Sequence, residues 1–244
     1  MKILFVLFTL FFSASVFGQD ALTTGNRILG GGVSFSQQNI EDDEPFFNPN
    51  FNEERTVDIF SFSFSPYYGR IYKDLSMVGL RMRVSRFNRE VNFEFDGGES
   101  STVDMSNSFA LGGFLRRYFP YSDRFGVFLE GGIDGTISNT KSTSERFDIV
   151  GVREETLVSK QESETRSIGA SIDTEVGIYF FVLNELSIET RLARFFLSYS
   201  DREIENRDLF NNTVNEGDGS STSVDFNLIN NFSFDQIFTI NYYF

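Results

Sequence analysis

The sequence predicts an all-β chain folded as an eight-stranded antiparallel up-and-down transmembrane β-barrel, with short turns at one rim and four long loops at the other. Three observations predict it: two-residue alternation through the last segment, alternately short and long spacers between similar segments, and tyrosines gathered at one set of strand ends. In the last segment Val224, Phe226, Leu228, Phe232, Phe234, Phe238, Ile240, Tyr242 and Phe244 share one parity. Asp225, Asn227, Asn231, Ser233, Asp235, Thr239 and Asn241 share the other. Successive strand side chains point to opposite faces, so this reads as one long strand with an apolar face and a polar face. Asn230 and Gln236 interrupt the apolar set; Ile229, Ile237 and Tyr243 interrupt the polar one.

Similar segments recur upstream. Strands are predicted near Ile28–Gln37, Val57–Pro66, Ser76–Asn88, Ser108–Phe119, Phe125–Ser138, Arg166–Phe181, Leu186–Ser200 and Ser223–Phe244. Short spacers (Tyr67–Leu75, Pro120–Arg124, Val182–Glu185) alternate with long polar ones (Gln38–Thr56, Arg89–Asn107, Asn139–Thr165, Asp201–Thr222). That alternation is the mark of an up-and-down membrane barrel, with periplasmic turns and extracellular loops.

A lipid-facing parity is assigned strand by strand. Phe60, Phe62 and Phe64 oppose Ser61, Ser63 and Ser65; Val78, Leu80, Met82 and Val84 oppose Gly79, Arg81, Arg83 and Ser85. Val127, Leu129, Ile133 and Ile137 oppose Gly126, Glu130, Asp134 and Thr136. Ile168, Ala170, Ile172, Val176 and Ile178 oppose Ser171, Asp173, Glu175 and Gly177. Leu186, Ile188 and Leu192 oppose Ser187, Glu189, Arg191 and Ala193. The glycine-rich first strand (Gly30, Gly31, Gly32) has weak parity. In the fourth, adjacent Arg116 and Arg117 require a rim position or a bulge. Tyr67, Tyr68, Tyr72, Tyr118, Tyr121, Tyr179, Tyr242 and Tyr243 fall at the predicted periplasmic ends, as an aromatic girdle would place them; Tyr199 is at the other rim. A soluble secreted barrel of the lipocalin type shares the alternation but would turn its apolar face inward, and it remains the alternative architecture.

Residues 1–18 read as a secretory signal peptide: Met1-Lys2, an apolar stretch from Ile3 to Phe12, and Val16-Phe17-Gly18 before a cut preceding Gln19. The stretch is shorter than the roughly 20 residues a spanning helix needs. Residues 19–244 then form one barrel domain, exported to the cell outer membrane. The formal charge of the whole chain is −14, and losing Lys2 makes it one unit more negative, which excludes nucleic acid as a natural partner. Cysteine is absent, so no disulfide, thiolate metal site or lipoprotein anchor is available.

Facing lipid with the apolar parity turns Arg81, Arg83, Glu130, Asp134, Asp173, Glu175, Glu189, Arg191 and Asp225 inward. An eight-stranded barrel is just wide enough for side chains to fill it, and unpaired buried charges cost several kcal/mol. These residues therefore read as a structural ion-pair plug, with a narrow channel for small or hydrophobic solutes as the alternative. The acids in that set outnumber the arginines, which predicts a surplus carboxylate. No catalytic, cofactor-binding or metal residues are assigned. Histidine, the usual base of barrel hydrolases, is absent, and no cysteine replaces it as nucleophile. The acidic runs Glu41-Asp42-Asp43-Glu44 and Asn215-Glu216-Gly217-Asp218-Gly219 are predicted in loops. Neither has the spacing of an EF-hand, and they read as solvated rather than Ca²⁺-binding. The third loop, with Lys141, Glu145, Arg146, Arg153, Glu154, Glu155 and Lys160, is a candidate hairpin above the membrane.

Over the whole mature chain, Gly113-Phe114-Leu115-Arg116-Arg117-Tyr118-Phe119-Pro120, Gly177-Ile178-Tyr179-Phe180 and Ile240-Asn241-Tyr242-Tyr243-Phe244 resemble the small outer-membrane β-barrel proteins of Bacteroidota, barrels of the OmpA, OmpX and OmpW kind. The resemblance implies a non-enzymatic, monomeric porin-like barrel at the cell surface, with outer-membrane lipid and lipopolysaccharide as its surroundings. It also implies a C-terminal signal, Phe238, Ile240, Tyr242 and Phe244, read by the outer-membrane assembly machinery. It carries over no ligand and no functional residue.

Overall fold

The computed structural model describes residues 19–42, 54–95, 98–150, 154–228 and 238–244; the predicted signal peptide lies outside them. A short 3₁₀ segment, Gln19–Leu22, precedes nine strands: β1 (Arg27–Asp42), β2 (Glu54–Lys73), β3 (Ser76–Phe95), β4 (Gly98–Pro120), β5 (Phe125–Val150), β6 (Glu154–Leu183), β7 (Leu186–Asp208), β8 (Thr213–Leu228) and β9 (Thr239–Tyr243). Each strand pairs antiparallel with its neighbours in chain order from β1 to β8. The sheet then closes: β9 pairs with β1 from Ile28↔Tyr243 to Gly32↔Thr239, and with β7 from Leu186↔Tyr242 to Glu189↔Thr239.

At the end carrying the short turns the ring is therefore eight strands, β1 to β7 and β9. Farther along, β8 takes the place of β9 beside β7. The closing strand read from the sequence as Ser223–Phe244 is represented by the end of β8 and by β9. Its middle, residues 229–237, lies outside the described residues. Beyond Gly32, β1 pairs with β2 alone among the described residues.

The strands outrun their predicted bounds. β5 has 26 residues and β6 has 30, whereas a membrane needs only about 9–11 per strand. Three of the four long polar connections continue as hairpins, because their small polar residues keep the two-residue period and pair across strands. Ser106 and Thr140 hydroxyls lie 3.0 Å apart, and those of Thr102 and Ser144 3.3 Å. At the other rim Tyr67 to Lys73 belongs to β2, leaving a tight turn in which Leu75 adopts φ 60°. Asn215–Gly219, predicted in a loop, lies inside β8. There the straight backbone extends its carboxylates along the strand rather than wrapping them around a point.

Outside, the barrel is apolar over a band. Leu80, Leu111, Ile133 and Ile172 are 65, 56, 59 and 55% exposed, while Arg81, Glu130, Asp134, Asp173 and Glu175 on the opposite parity are buried. On β5 the apolar outward run from Val127 to Ile137 is followed by Asn139 and Lys141. Those ten steps, at about 3.3 Å each and a tilt of about 40°, span roughly 25 Å.

One open parity is resolved and two parity expectations need correction. First, Arg116 points inward and is buried, while Arg117 sits at the rim and donates to Asp74 O at 2.9 Å and Ser76 Oγ at 2.5 Å. Second, the register of β6 against β7 shifts between Val176/Gly177, leaving Leu192 unmatched. This bulge switches parity, so Ala193 is no longer in the inward set and Arg194, absent from it, joins Arg191 there. Third, the tyrosines divide. Tyr68, Tyr72, Tyr121 and Tyr242 are exposed as girdle residues, but Tyr67, Tyr118, Tyr179 and Tyr243 are buried inside. Each of the buried four shares the polar parity of its strand: Tyr67 with Ser65, Tyr118 with Arg116, Tyr179 with Glu175, and Tyr243 with Asn241.

Candidate functional site

The lumen is layered. At the short-turn rim, Ala21 and Leu22 of the 3₁₀ segment cap a packed floor of Ile28, Ile71, Met77, Tyr118, Phe181 and Tyr243. The segment is tied down by backbone bonds from Leu75 N to Leu22 O (3.1 Å) and from Gly25 N to Ile71 O (2.9 Å). Thr24 adds its hydroxyl and amide to Asp74 Oδ1 at 2.6 and 3.1 Å. Those two bonds, the hydroxyl first, hold the exposed Asp74 carboxyl below its ordinary pKa. Edge-to-face ring pairs, Tyr118–Tyr179 at 5.3 Å and Tyr67–Phe114 at 5.4 Å, complete the floor.

Above the floor lies a continuous lattice of ions. Arg116, from β4, donates to Glu130 Oε2 (2.7 Å from Nε) and to Glu189 Oε2 (2.6 Å from Nη1). Its guanidinium carbon lies 4.4 Å from the Phe128 ring centroid, and Nη1 also reaches Tyr67 OH at 3.2 Å. Arg81, from β3, grips Asp134 with both Nε and Nη2 at 2.8 Å, Glu130 Oε1 at 2.9 Å and Asp173 Oδ1 at 2.5 Å. Arg194 meets Asp173 Oδ2 at 2.9 Å and Glu175 Oε1 at 3.1 Å, and Arg191 meets Glu175 Oε2 at 2.5 Å. Glu130, Asp173 and Glu175 are each shared by two arginines, so the lattice runs unbroken across the lumen through β3, β4, β5, β6 and β7. Paired guanidinium and carboxylate groups satisfy the requirement that buried charges be compensated.

Two glycines make room for it. A Cβ on Gly132 would collide with the Arg81 guanidinium, and one on Gly112 with Asp134 Oδ1 and the Ile133 carbonyl. Of the residues assigned to the interior from sequence, Arg81, Glu130, Asp134, Asp173, Glu175, Glu189 and Arg191 are joined in the lattice. Arg83 lines the same cavity but makes no hydrogen bond or ion pair among the described residues. The side chain of Asp225 is outside the described set. Arg116 and Arg194 supply cations that sequence reading left out, so the five acids of the lattice are all engaged. The alternation of Leu111 and Leu115 with Arg116 was the signal for the first; a bulge hid the second.

Above the lattice the inward positions are hydroxyls. Thr136, Ser138, Thr140, Thr165, Ser167, Ser171, Ser198 and Ser200, with Phe196 and Arg202, border a space of about 440 Å³. The lumen is thus a water-facing cup over a closed base. Among the described residues, nothing in it assembles a nucleophile with a base.

No family model matches the chain, and no curated protein matches it. Among solved structures, the outer membrane protein OprG from Pseudomonas aeruginosa aligns over 91% of this chain and 97% of that chain, at 12% identity and a TM-score of 0.34. So distant a likeness carries no argument of its own, and the barrel stands on its strand pairing.

Proposed function

We propose that the chain is a non-enzymatic integral outer-membrane β-barrel with a structural or surface-interaction role, its lumen closed by ion pairs. One observation carries this reading: the molecule is inside-out for water. Leucine and isoleucine side chains are exposed around a belt of about 25 Å, and arginine–carboxylate pairs are buried within. A soluble carrier barrel would bury the first and expose the second.

The short-turn rim is then periplasmic and the long hairpins extracellular, standing beyond the membrane among lipopolysaccharide. Residues 1–18 serve as the cleaved signal peptide, and the barrel works as a monomer, as in the small barrels of Bacteroidota that it resembles. Phe238, Ile240, Tyr242 and Phe244, all exposed on the outer face, act as the signal for the assembly machinery.

Fractionation tests the reading. The protein is expected in the detergent-extracted outer-membrane fraction, with a heat-modifiable band on gels; recovery from the soluble periplasm would overturn it. In planar bilayers the purified barrel is expected to give no discrete conductance steps, and steady steps would replace the closed barrel with a channel.

A further inference from the structure

Of the arginines that line the cavity within the lattice, Arg83 alone makes no ion pair among the described residues. Arg83 stands two residues beyond Arg81 on the same face of β3, at the hairpin side of the lattice. It is half-buried, lines the same cavity as Arg81, Arg116, Arg191, Glu130 and Asp134, and has no partner among the described residues. Glu130 and Asp134 are held by Arg81 and Arg116. Glu175, the other acid that acts on it, gives its two oxygens to Arg191 and Arg194. Arg83 is therefore left without a carboxylate of its own at the edge of the lattice.

The wall around this point offers neutral donors. The row of strand partners beginning at Arg83 runs through Ala110, Thr136, Gly169 and Ser200. Thr136, Gly169 and Ser200 border the hydroxyl-lined space of about 440 Å³. The cavity directly against Arg83 is about 20 Å³, room for one water-sized atom group. A terminal oxygen fits there and a larger body does not.

We propose that the upper lumen is a binding cup for small solutes bearing a carboxylate or phosphate group, with Arg83 as its anion-binding residue. The planar guanidinium receives the oxyanion through paired N–H donors. The serine and threonine wall solvates the rest of the solute, and the lattice beneath prevents its passage. This assignment rests on the closed-lumen reading for its dead end, but the binding itself does not depend on that reading.

The test uses the folded full-length barrel in lipid-free detergent, with Nε-labelled arginine followed by NMR at low ionic strength. Inorganic phosphate and acetate are the probes. A saturable shift of the Arg83 Nε–H signal is expected with either. Arg83→Gln should weaken binding about tenfold or more, in line with the loss of a hydrogen bond to a charged group. Arg83→Lys should keep part of it, and Lys141→Gln should change nothing. Because Arg83 holds no ion pair among the described residues, Arg83→Gln is expected to fold with an unchanged heat-modifiable band. A linear, non-saturating response, or equal binding by wild type and Arg83→Gln, would overturn the proposal. A response seen only after lipopolysaccharide is added would assign the arginine to a lipid headgroup and also overturn it. Conductance through the pore would remove the dead end while leaving phosphate binding intact, so the two failures are distinguishable.

Discussion

Arg81 and Arg83 are neighbours on one face of one strand, yet they stand in opposite situations. Arg81 meets three carboxylates, and replacing it with methionine leaves Asp134 buried without a cation and takes one of two from Glu130 and Asp173. Removing one member of a buried pair costs on the order of 3–5 kcal/mol. Arg81→Met is therefore expected to lower sharply the temperature at which the folded gel band converts to the unfolded one. Arg83→Met should barely move it, since no acid among the described residues depends on that guanidinium. Equal losses at the two positions would show that Arg83 has a structural partner. Gly112 makes a second residue-scale case. A methyl there meets a backbone carbonyl as well as Asp134, so Gly112→Ala is expected to destabilise by about 1–3 kcal/mol through overpacking, read on the same gels. Asp74 gives a pH dependence outside the membrane. Its folded pKa is depressed by the Thr24 bonds, so the contribution is present above the unfolded value of about 3.9 and fades as pH falls through the lower folded one. Protection of the Thr24 amide, measured against its intrinsic exchange rate at each pH, should fall below about pH 4 in wild type. In Asp74→Asn that protection should be low and flat across the same range.

At the scale of elements, alternation made most strands legible because lipid on one side and a polar lumen on the other impose a strict period of two. Three features escaped it for definite reasons. Hairpin extensions such as Ser138 to Ser144 alternate polar residues with polar residues, so hydrophobicity marks no face although hydroxyl pairing does. The Leu192 bulge changes parity mid-strand, and Arg191 and Arg194 cannot both face inward without it. Tyrosine at a strand end fits either a girdle or a lumen floor, and only its parity separates Tyr67 from Tyr68. The ion-pair residues were legible one by one, but their partners were not, because Arg81 reaches across the ring from β3 to Asp173 on β6. The bulge is testable. Deleting Leu192 removes the unmatched residue, so Ala193 and Arg194 follow Arg191 in strict alternation and keep their faces. Arg191 and Arg194 then still reach Glu175 and Asp173, and only one apolar side chain and the local bend are lost. The deletion variant is expected to refold in detergent with a heat-modifiable band close to that of wild type. Failure to refold would mean that the bend made by the bulge, and not only the parity it sets, is needed to close the ring.

For the whole molecule, the consequence of layering is that closure is redundant. The mouth at the short-turn rim is capped by Leu22, 1% exposed and packed on the tyrosine and methionine floor. The mid-lumen is sealed independently by the Arg116–Glu130–Arg81 part of the lattice. Leu22→Ser removes an apolar stopper and is expected to cost about 2–5 kcal/mol, the range for large-to-small changes in a packed interior. It leaves the arginine layer in place, so planar bilayers should remain silent. Arg116→Ser opens the lattice, strands Glu189, leaves Glu130 with Arg81 alone, and destabilises more, but leaves the capped floor. It too should give no steps in whatever fraction folds. Only the double variant breaches both layers in line, and it should pass cations preferentially, because the unpaired Glu189 and the free oxygen of Glu130 then line the path. If Leu22→Ser alone conducts, the ion lattice is permeable and the barrel is a channel gated at its periplasmic rim. If the folded double variant stays silent, the aromatic rings themselves fill the bore, and the ion pairs hold strands together without sealing anything.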